Sequence, residues 1–456
     1  MTATIARTIG RDLAVSEVRV PAHAAVGEAV VAHAVVRNEG LVSENVTLTV
    51  RVYRNRLNDS DLLLTRAFPE TSLAAGTAAD FPVSFAPDRV GRFLIDAVVP
   101  LAADEIPSNN ERLAHLLANT FAFRDDVESG AGGWTLDGTL SDLHRWRIVD
   151  DSPENGSARS PTHAWKFGYV PTLIPNPLPP AWHTLTSPTV TIGGGPVHLI
   201  FYQRYDLWGR TETPLPINLT ETDQASVEVR YFRGSWGAWT VLATYQARDL
   251  TWRGLSFNVT AGSAGASSLQ IRFNVSSDVM PRSGGWWIDD VMVGSAGLGR
   301  SVVLRGPAGP VASTSPPDVP FDVKIFNVGD LDDIFVLDAT PPLGWSVLVR
   351  AGSGDVPAGG FRIHLAPDRD LALTLLVRIG GDVSRGQTYA TSVGAGSEAD
   401  GNATDRINLE VLAVYGPPPL FDPLSMVIFV AALGVAIVVA AVAIVVLARR
   451  RRPRPP

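Results

Sequence analysis

From Leu424 to Leu447 the chain reads LSMVIFVAALGVAIVVAAVAIVVL, without one charged side chain. As an α-helix this stretch would be about 36 Å long, enough to cross a hydrocarbon layer of roughly 30 Å with some tilt. A helix buried inside a globular domain rarely goes so far without a charge. Arg449, Arg450, Arg451, Arg452 and Arg454 follow, whereas the preceding VYGPPPLFDP has no basic residue. Basic residues are retained on the cytoplasmic side of a membrane. The pattern therefore predicts a transmembrane helix over 424–448, a basic cytoplasmic tail over 449–456 and an ectodomain outside the cell. The lipid bilayer is the first expected partner, and the cell membrane, crossed once, is the expected location. Ala432, Ala436 and Ala440 give the helix a stripe of small residues suited to helix pairing. The opening MTATIARTIGRDLAV has no apolar run of the kind an export signal needs. The expectation is that translation starts upstream, or that the chain is the C-terminal part of a longer product. A tail-anchored protein with its body in the cytoplasm is the competing topology, and it runs against the tail arginines.

The rest of the chain has a globular composition, with 45% hydrophobic and 18% charged residues overall. The absence of cysteine excludes disulfides, thiolate metal sites and a cysteine nucleophile, and in an ectodomain it points to a prokaryotic source. Of 38 basic residues five lie in the tail, against 46 acidic ones, so the body is acidic. Such a surface offers no counterion release to nucleic acid, which is excluded as a partner.

Period-two alternation dominates the body, and no long amphipathic helix interrupts it. In VTLTVRV, Val46, Leu48, Val50 and Val52 point one way and Thr47, Thr49 and Arg51 the other, the pattern of a half-buried antiparallel strand. In LQIRFNV, Leu269, Ile271, Phe273 and Val275 alternate in the same way with Gln270, Arg272 and Asn274. A chain of 456 residues suits three domains. The expected fold class is all-β: three tandem β-sandwich domains (Ig-like, jelly-roll, Ig-like) over 1–119, 120–297 and 298–414. A Pro-rich spacer, 415–423, leads to the helix.

Particular blocks carry resemblances. DLAVSEVRVP, VVRNEG, RFLIDAVVP and EIPSNNERLAHLL resemble the CARDB domain, an Ig-like module of prokaryotic surface proteins, with Glu105, Asn109, Asn110 and Glu111 matching its terminal motif. FRDDVESGAGGWT and GGWWIDDVMVG resemble the opening and closing strands of MAM-like jelly-roll domains, such as those attached to immune-inhibitor-A-type peptidases. FNVGD, PPLGWSVLV, LALTLLVRI and the Gly386–Tyr389 pair are similar to the NEW3-type Ig-like module. The resemblances imply display or binding at a cell surface. No HExxH zinc motif occurs, so peptidase chemistry does not carry over.

No residue pattern announces catalysis: the eight histidines are scattered, and neither a GxSxG elbow nor a phosphate loop occurs. The expected function is a non-enzymatic, membrane-anchored surface protein for adhesion, extracellular binding or spacing. The alternative is a glycan-binding receptor, or the anchored C-terminal part of a larger secreted hydrolase. Asp125, Asp126 and Glu128 on the opening strand, with Asp289 and Asp290 on the closing strand, are candidate ligands for structural calcium, which favours hard oxygen donors. Only one of each neighbouring pair can face inward. Ten of eleven tryptophans lie in the second domain. Trp134, Trp146, Trp165 and one of Trp286 and Trp287 are expected in its core. Trp182, Trp208 and Trp236 sit in Pro- or Gly-rich loops and are candidate glycan contacts, since indole faces stack on sugar rings. Sequons at Asn45, Asn58, Asn155, Asn218, Asn258, Asn274 and Asn402 are candidate glycosylation sites. An extracellular protein or glycan ligand completes the expected partners.

Overall fold

The computed structural model describes residues 10–139, 144–152, 157–169, 181–207, 223–277, 284–307, 309–313, 318–351, 354–380 and 383–414. These residues are nearly all strand, in agreement with the alternation. The one α-helix among them is the single turn Thr260–Ser263. The expected membrane segment 424–448 lies outside the described residues, and among the described residues no helix is long and apolar enough to cross a membrane.

The sheets sort into three consecutive sets along the chain. In the first, Leu13–Arg19, Val30–Asn38 and Ala78–Phe85 form a three-stranded sheet. His23–Ala25, Glu111–Asn119, Gly91–Val98, Thr49–Arg54 and Leu62–Ala67 form a five-stranded one. The chain changes sheets at Pro21, a residue that cannot donate a ladder hydrogen bond. His23–Ala25 then pairs in parallel with the end of Glu111–Asn119. Val46, Leu48, Val50 and Val52 are all buried, as their spacing predicts. The single strand expected there is nevertheless two: Glu44–Val46 pairs with Thr71–Leu73, and Thr49–Arg54 pairs with Gly91–Val98 and Leu62–Ala67.

The second set is two six-stranded sheets. One runs His144–Asp150, His163–Tyr169, Gly285–Gly294, His198–Leu207, Ala247–Asn258, with Phe121–Asp125 also paired to Gly285–Gly294. The other runs Thr135–Gly138, Ala181–Thr186, Ser268–Ser277, Gln224–Phe232, Thr240–Tyr245, with Val190–Thr191 paired to Ser268–Ser277. The third set is two five-stranded sheets built from strands between Val302 and Ala413. Its second strand, Val311–Ser313, again pairs in parallel with the last, Thr404–Ala413.

A buried asparagine recurs in the first and third sets. The Asn38 side chain accepts from the Gly40 N–H and donates to the carbonyls of Val42 (2.8 Å) and Leu73 (2.9 Å). Asn327 repeats this with the Gly329 N–H and the carbonyls of Leu331 (2.9 Å) and Leu365 (2.8 Å). Both glycines are required by space, since a Cβ would stand 2.8 Å from the Asp12 nitrogen or 2.7 Å from that of Ser301. The Asn-Glu-Gly of VVRNEG and the Asn-Val-Gly of FNVGD form this corner.

By packing, the chain divides into two compact units, so the first two sets are not separate bodies. One unit holds residues up to Val302 together with Phe326–Ile334 and His364–Asp370. The other holds Val303–Ile325, Phe335–Ile363 and the described residues from Leu371 on. Inside the first unit Leu117 packs with Ile200, Tyr202 and Met292, joining its two sandwiches. The fully buried Asn119 accepts from the N–H groups of Ser295 (2.7 Å) and Ala296 (3.0 Å) and donates to the Ala296 carbonyl.

The same unit contains a buried ion cluster. His115 Nδ1 lies 2.7 Å from Asp368 Oδ1, and its Nε2 lies 3.1 Å from Asp330 Oδ1. Arg92 donates to Asp330 Oδ2 at 2.8 Å, as does the Gly299 N–H. Burial alone would lower the His115 pKa, but the hydrogen bonds and charges of Asp330 and Asp368 outweigh it and hold the imidazolium to about 9. An unfolded histidine titrates near 6.5. The folded value is the higher one, so the stabilisation is complete below about pH 6.5 and fades as pH rises through 9. We expect the unfolding free energy to fall by about 3 kcal/mol across that window. Urea titrations at pH 6.5 and 9.5 measure it, and a His115→Gln variant should lose the slope.

Candidate functional site

The second sandwich is organised by its aromatic core. Inward positions on facing strands bring together Trp134, Trp146, Trp165, Phe167, Phe201, Phe273 and Trp286. Trp146 and Trp286 are 5.6 Å apart between ring centres, and Phe273 meets Trp286 edge to face at 5.5 Å. Of the 286–287 pair, Trp286 is the core residue. This core fixes which side chains are left on the two outer faces.

The opening and closing strands are adjacent, as the calcium expectation requires, with Asp125 opposite Val291. Four of the five carboxylates, however, are occupied separately. Asp125 accepts from the Val127 N–H at 2.9 Å and from the Trp134 indole N–H. Asp126 accepts from the Glu128 N–H. Glu128 reaches back to the turn at 162–163, taking the N–H groups of Thr162 (3.0 Å) and His163 (2.8 Å), and its pKa falls to about 2 despite partial burial. Asp289, 0% exposed, accepts from the N–H groups of Arg159 (2.8 Å), Ser160 (3.0 Å) and Asp290 (2.8 Å) and from the Ser160 hydroxyl. Burial pushes the Asp289 carboxyl up to about 6, and burial and then Asp289 push that of Asp290 up to about 7. Among the described residues no group of three or more His, Asp or Glu side chains is arranged to hold a metal ion. Glu128 and Asp289 act as ties between the strand ends and the loop at 159–163.

The outer face of the sheet containing Ala181–Thr186 is different. Trp182, opposite Ser276, stands 46% exposed at one end. At the other end Trp239 lies over two guanidinium groups, with Arg272 4.3 Å and Arg230 4.6 Å from its ring centre. Trp236 lies 4.7 Å from Arg230. The arginines are themselves fixed: Arg230 donates to Gln270 at 2.9 Å, and Arg272 to Glu228 at 2.7 Å. Ser226 and Asn274 also bond to Glu228. From Ser276 to Arg272 is four residues along one strand, about 14 Å. The face is a polar strip with indoles at both ends. Trp182 and Trp236 were candidates from the sequence, and Trp208 lies outside the described residues. Trp239 was missed, although it stands only three residues beyond Trp236, just before the strand Thr240–Tyr245.

Among the sequons, Asn45, Asn58, Asn258 and Asn402 are exposed. Asn274 is half-buried with its amide donating to Glu228, and Asn155 and Asn218 lie outside the described residues.

No known family matches the sequence, and no curated protein matches it. Among solved structures, the chain is similar to the CARDB domain of a Pyrococcus furiosus protein: 20% identity over 26% of this chain and 98% of that one, TM-score 0.20. It is also similar to the C-terminal family 22 carbohydrate-binding module of Clostridium thermocellum Xyn10B: 10% identity over 39% and 93%, TM-score 0.24. A xylan-binding domain of Paenibacillus barcinonensis Xyn10C has 15% identity over 38% and 99%, TM-score 0.23. Likenesses at these scores carry no functional argument.

The Asp289 ties give a direct expectation. In Asp289→Ala the N–H groups of Arg159 and Ser160 lose their acceptor in a buried setting, which costs about 3 kcal/mol. Equilibrium urea unfolding at pH 7 measures this, and a loss under 1 kcal/mol would mean that the loop re-pairs with water.

Proposed function

We propose that this chain is a non-enzymatic surface protein whose β-sandwich body binds an extracellular ligand and is held at the cell membrane by residues 424–448. The observation that carries the reading is the outer face with Trp182 at one end and the arginine-backed Trp239 and Trp236 at the other. Trp182 is exposed, while Trp236 and Trp239 are half-buried against guanidinium groups that hold them in fixed orientation. Rigid aromatic faces flanking a strip of hydrogen-bonding side chains suit a saccharide chain, whose rings present both apolar faces and hydroxyl edges. The uncharged stretch at 424–448 and the arginines after it support the anchor and its orientation.

The ligand class is tested by electrophoresis of the purified chain through gels containing soluble polysaccharides. At least one should retard the protein, and Trp182→Ala and Trp239→Ala should each weaken that retardation about tenfold, near the upper end of single aromatic contacts. Retardation unaffected by both variants contradicts this face as the site. For the anchor, protease added to intact cells should remove the β-sandwich body. Full protection until lysis contradicts display at the surface.

A further inference from the structure

The two arginines of the tryptophan strip are not equivalent. Arg230 on the strand Gln224–Phe232 stands opposite Gln270 on Ser268–Ser277, and Glu228 stands opposite Arg272 in the next outward row. Arg272 therefore has an acid across the strand, to which its Nε donates at 2.7 Å. Arg230 has an amide there instead: its Nε and Nη2 both donate to Gln270 Oε1, at 2.9 and 2.5 Å. Its guanidinium carbon lies 4.6 Å from the Trp239 ring centre and 4.7 Å from that of Trp236. Burial, and then the charge of Arg272, a second cation, lower the Arg230 pKa.

A guanidinium carries five N–H donors in one plane. Gln270 takes two of those on Arg230, and two indoles lie against the group. Three donors remain among the described residues. They include the Nη1–Nη2 edge, a side of the fork that meets a carboxylate with two parallel hydrogen bonds. Arg230 is half-buried, so it keeps contact with solvent on the outer face while its charge is less screened than on an open surface.

The Trp182 end of the strip carries an acid instead. Trp182 is opposite Ser276, and two residues further on Thr184 is opposite Asp137, which is exposed. From Ser276 to Gln270 is six residues along one strand, about 20 Å. The strip thus runs from an exposed indole with a carboxylate nearby to a guanidinium held against two indoles.

Granted the saccharide site proposed for this face, we infer that its ligand is an acidic glycan, with a sugar-borne carboxylate on the Nη1–Nη2 edge of Arg230 and a neutral ring on Trp182. A guanidinium and a carboxylate are each costly to desolvate alone and offset one another when joined by two hydrogen bonds. Asp137 repels a carboxylate from the other end, which sets the direction of the glycan along the strip. The chain's net charge of −8 disfavours anions in general, so binding depends on the Arg230 fork rather than on a diffuse field.

The test is native affinity electrophoresis of the full chain in detergent at pH 7, through gels that hold matched polysaccharides, with mobility in a plain gel as the reference. One pair is polygalacturonate and its methyl ester, and the other is carboxymethylcellulose and hydroxyethylcellulose. Within each pair the backbone is the same and the carboxylate differs. In at least one pair the acidic member should bind at least tenfold more tightly than the neutral one. Arg230→Gln should bring the acidic member down to the level of the neutral one. Arg230→Lys, which keeps the charge but loses the fork, should lose most of the preference. Trp182→Ala should weaken both members alike. Equal retardation by the two members of each pair, or an acidic preference that survives in a folded Arg230→Gln, overturns the inference and leaves the face a site for neutral glycans. Retardation by no gel at all, neutral or acidic, overturns the glycan reading of the face itself and this inference with it.

Discussion

The contact among Trp146, Trp286 and Phe273 is where the two six-stranded sheets of the second sandwich are held to each other. Truncating any one of these rings would cost roughly 3–5 kcal/mol, a large part of the stability of a typical domain. Because side chains alternate along a strand, committing these rings to the interior also commits their neighbours to the exterior. Trp146 inward places Arg147 outward, Phe167 places Lys166, Trp286 places Trp287, and Phe273 places Arg272 and Asn274. A slip of one residue in any strand would bury cations and expose indoles.

Both outer faces use the same physical device in opposite senses. On one, arginines fixed by Gln270 and Glu228 support Trp236 and Trp239, so the cations serve the indoles. On the other, Trp287 lies against Lys166 and Arg204, so the indole serves the cations.

The alternation in LQIRFNV and VTLTVRV was sufficient to assign the buried side of each strand, because period two is set by backbone geometry alone. The break between Val46 and Thr49 left no such trace, since a strand that changes partners keeps its inside and outside. The aromatic core was legible for Trp134, Trp146 and Trp165, which fall at inward positions. The pairing of the opening and closing strands followed the sequence reading. The occupancy of Glu128 and Asp289 was not legible, because their donors come from the turn at 159–163, far away in sequence. The same holds for His115, whose partner Asp330 is 215 residues distant.

The account depends on tryptophans outside the core being the ones a ligand touches. The most direct measurement is an NMR titration of the indole N–H resonances with a retarding polysaccharide fragment. The account predicts that Trp182, Trp236 and Trp239 move while Trp146 and Trp286 stay fixed. Shifts confined to the core indoles, or no shift at saturating ligand, would contradict it.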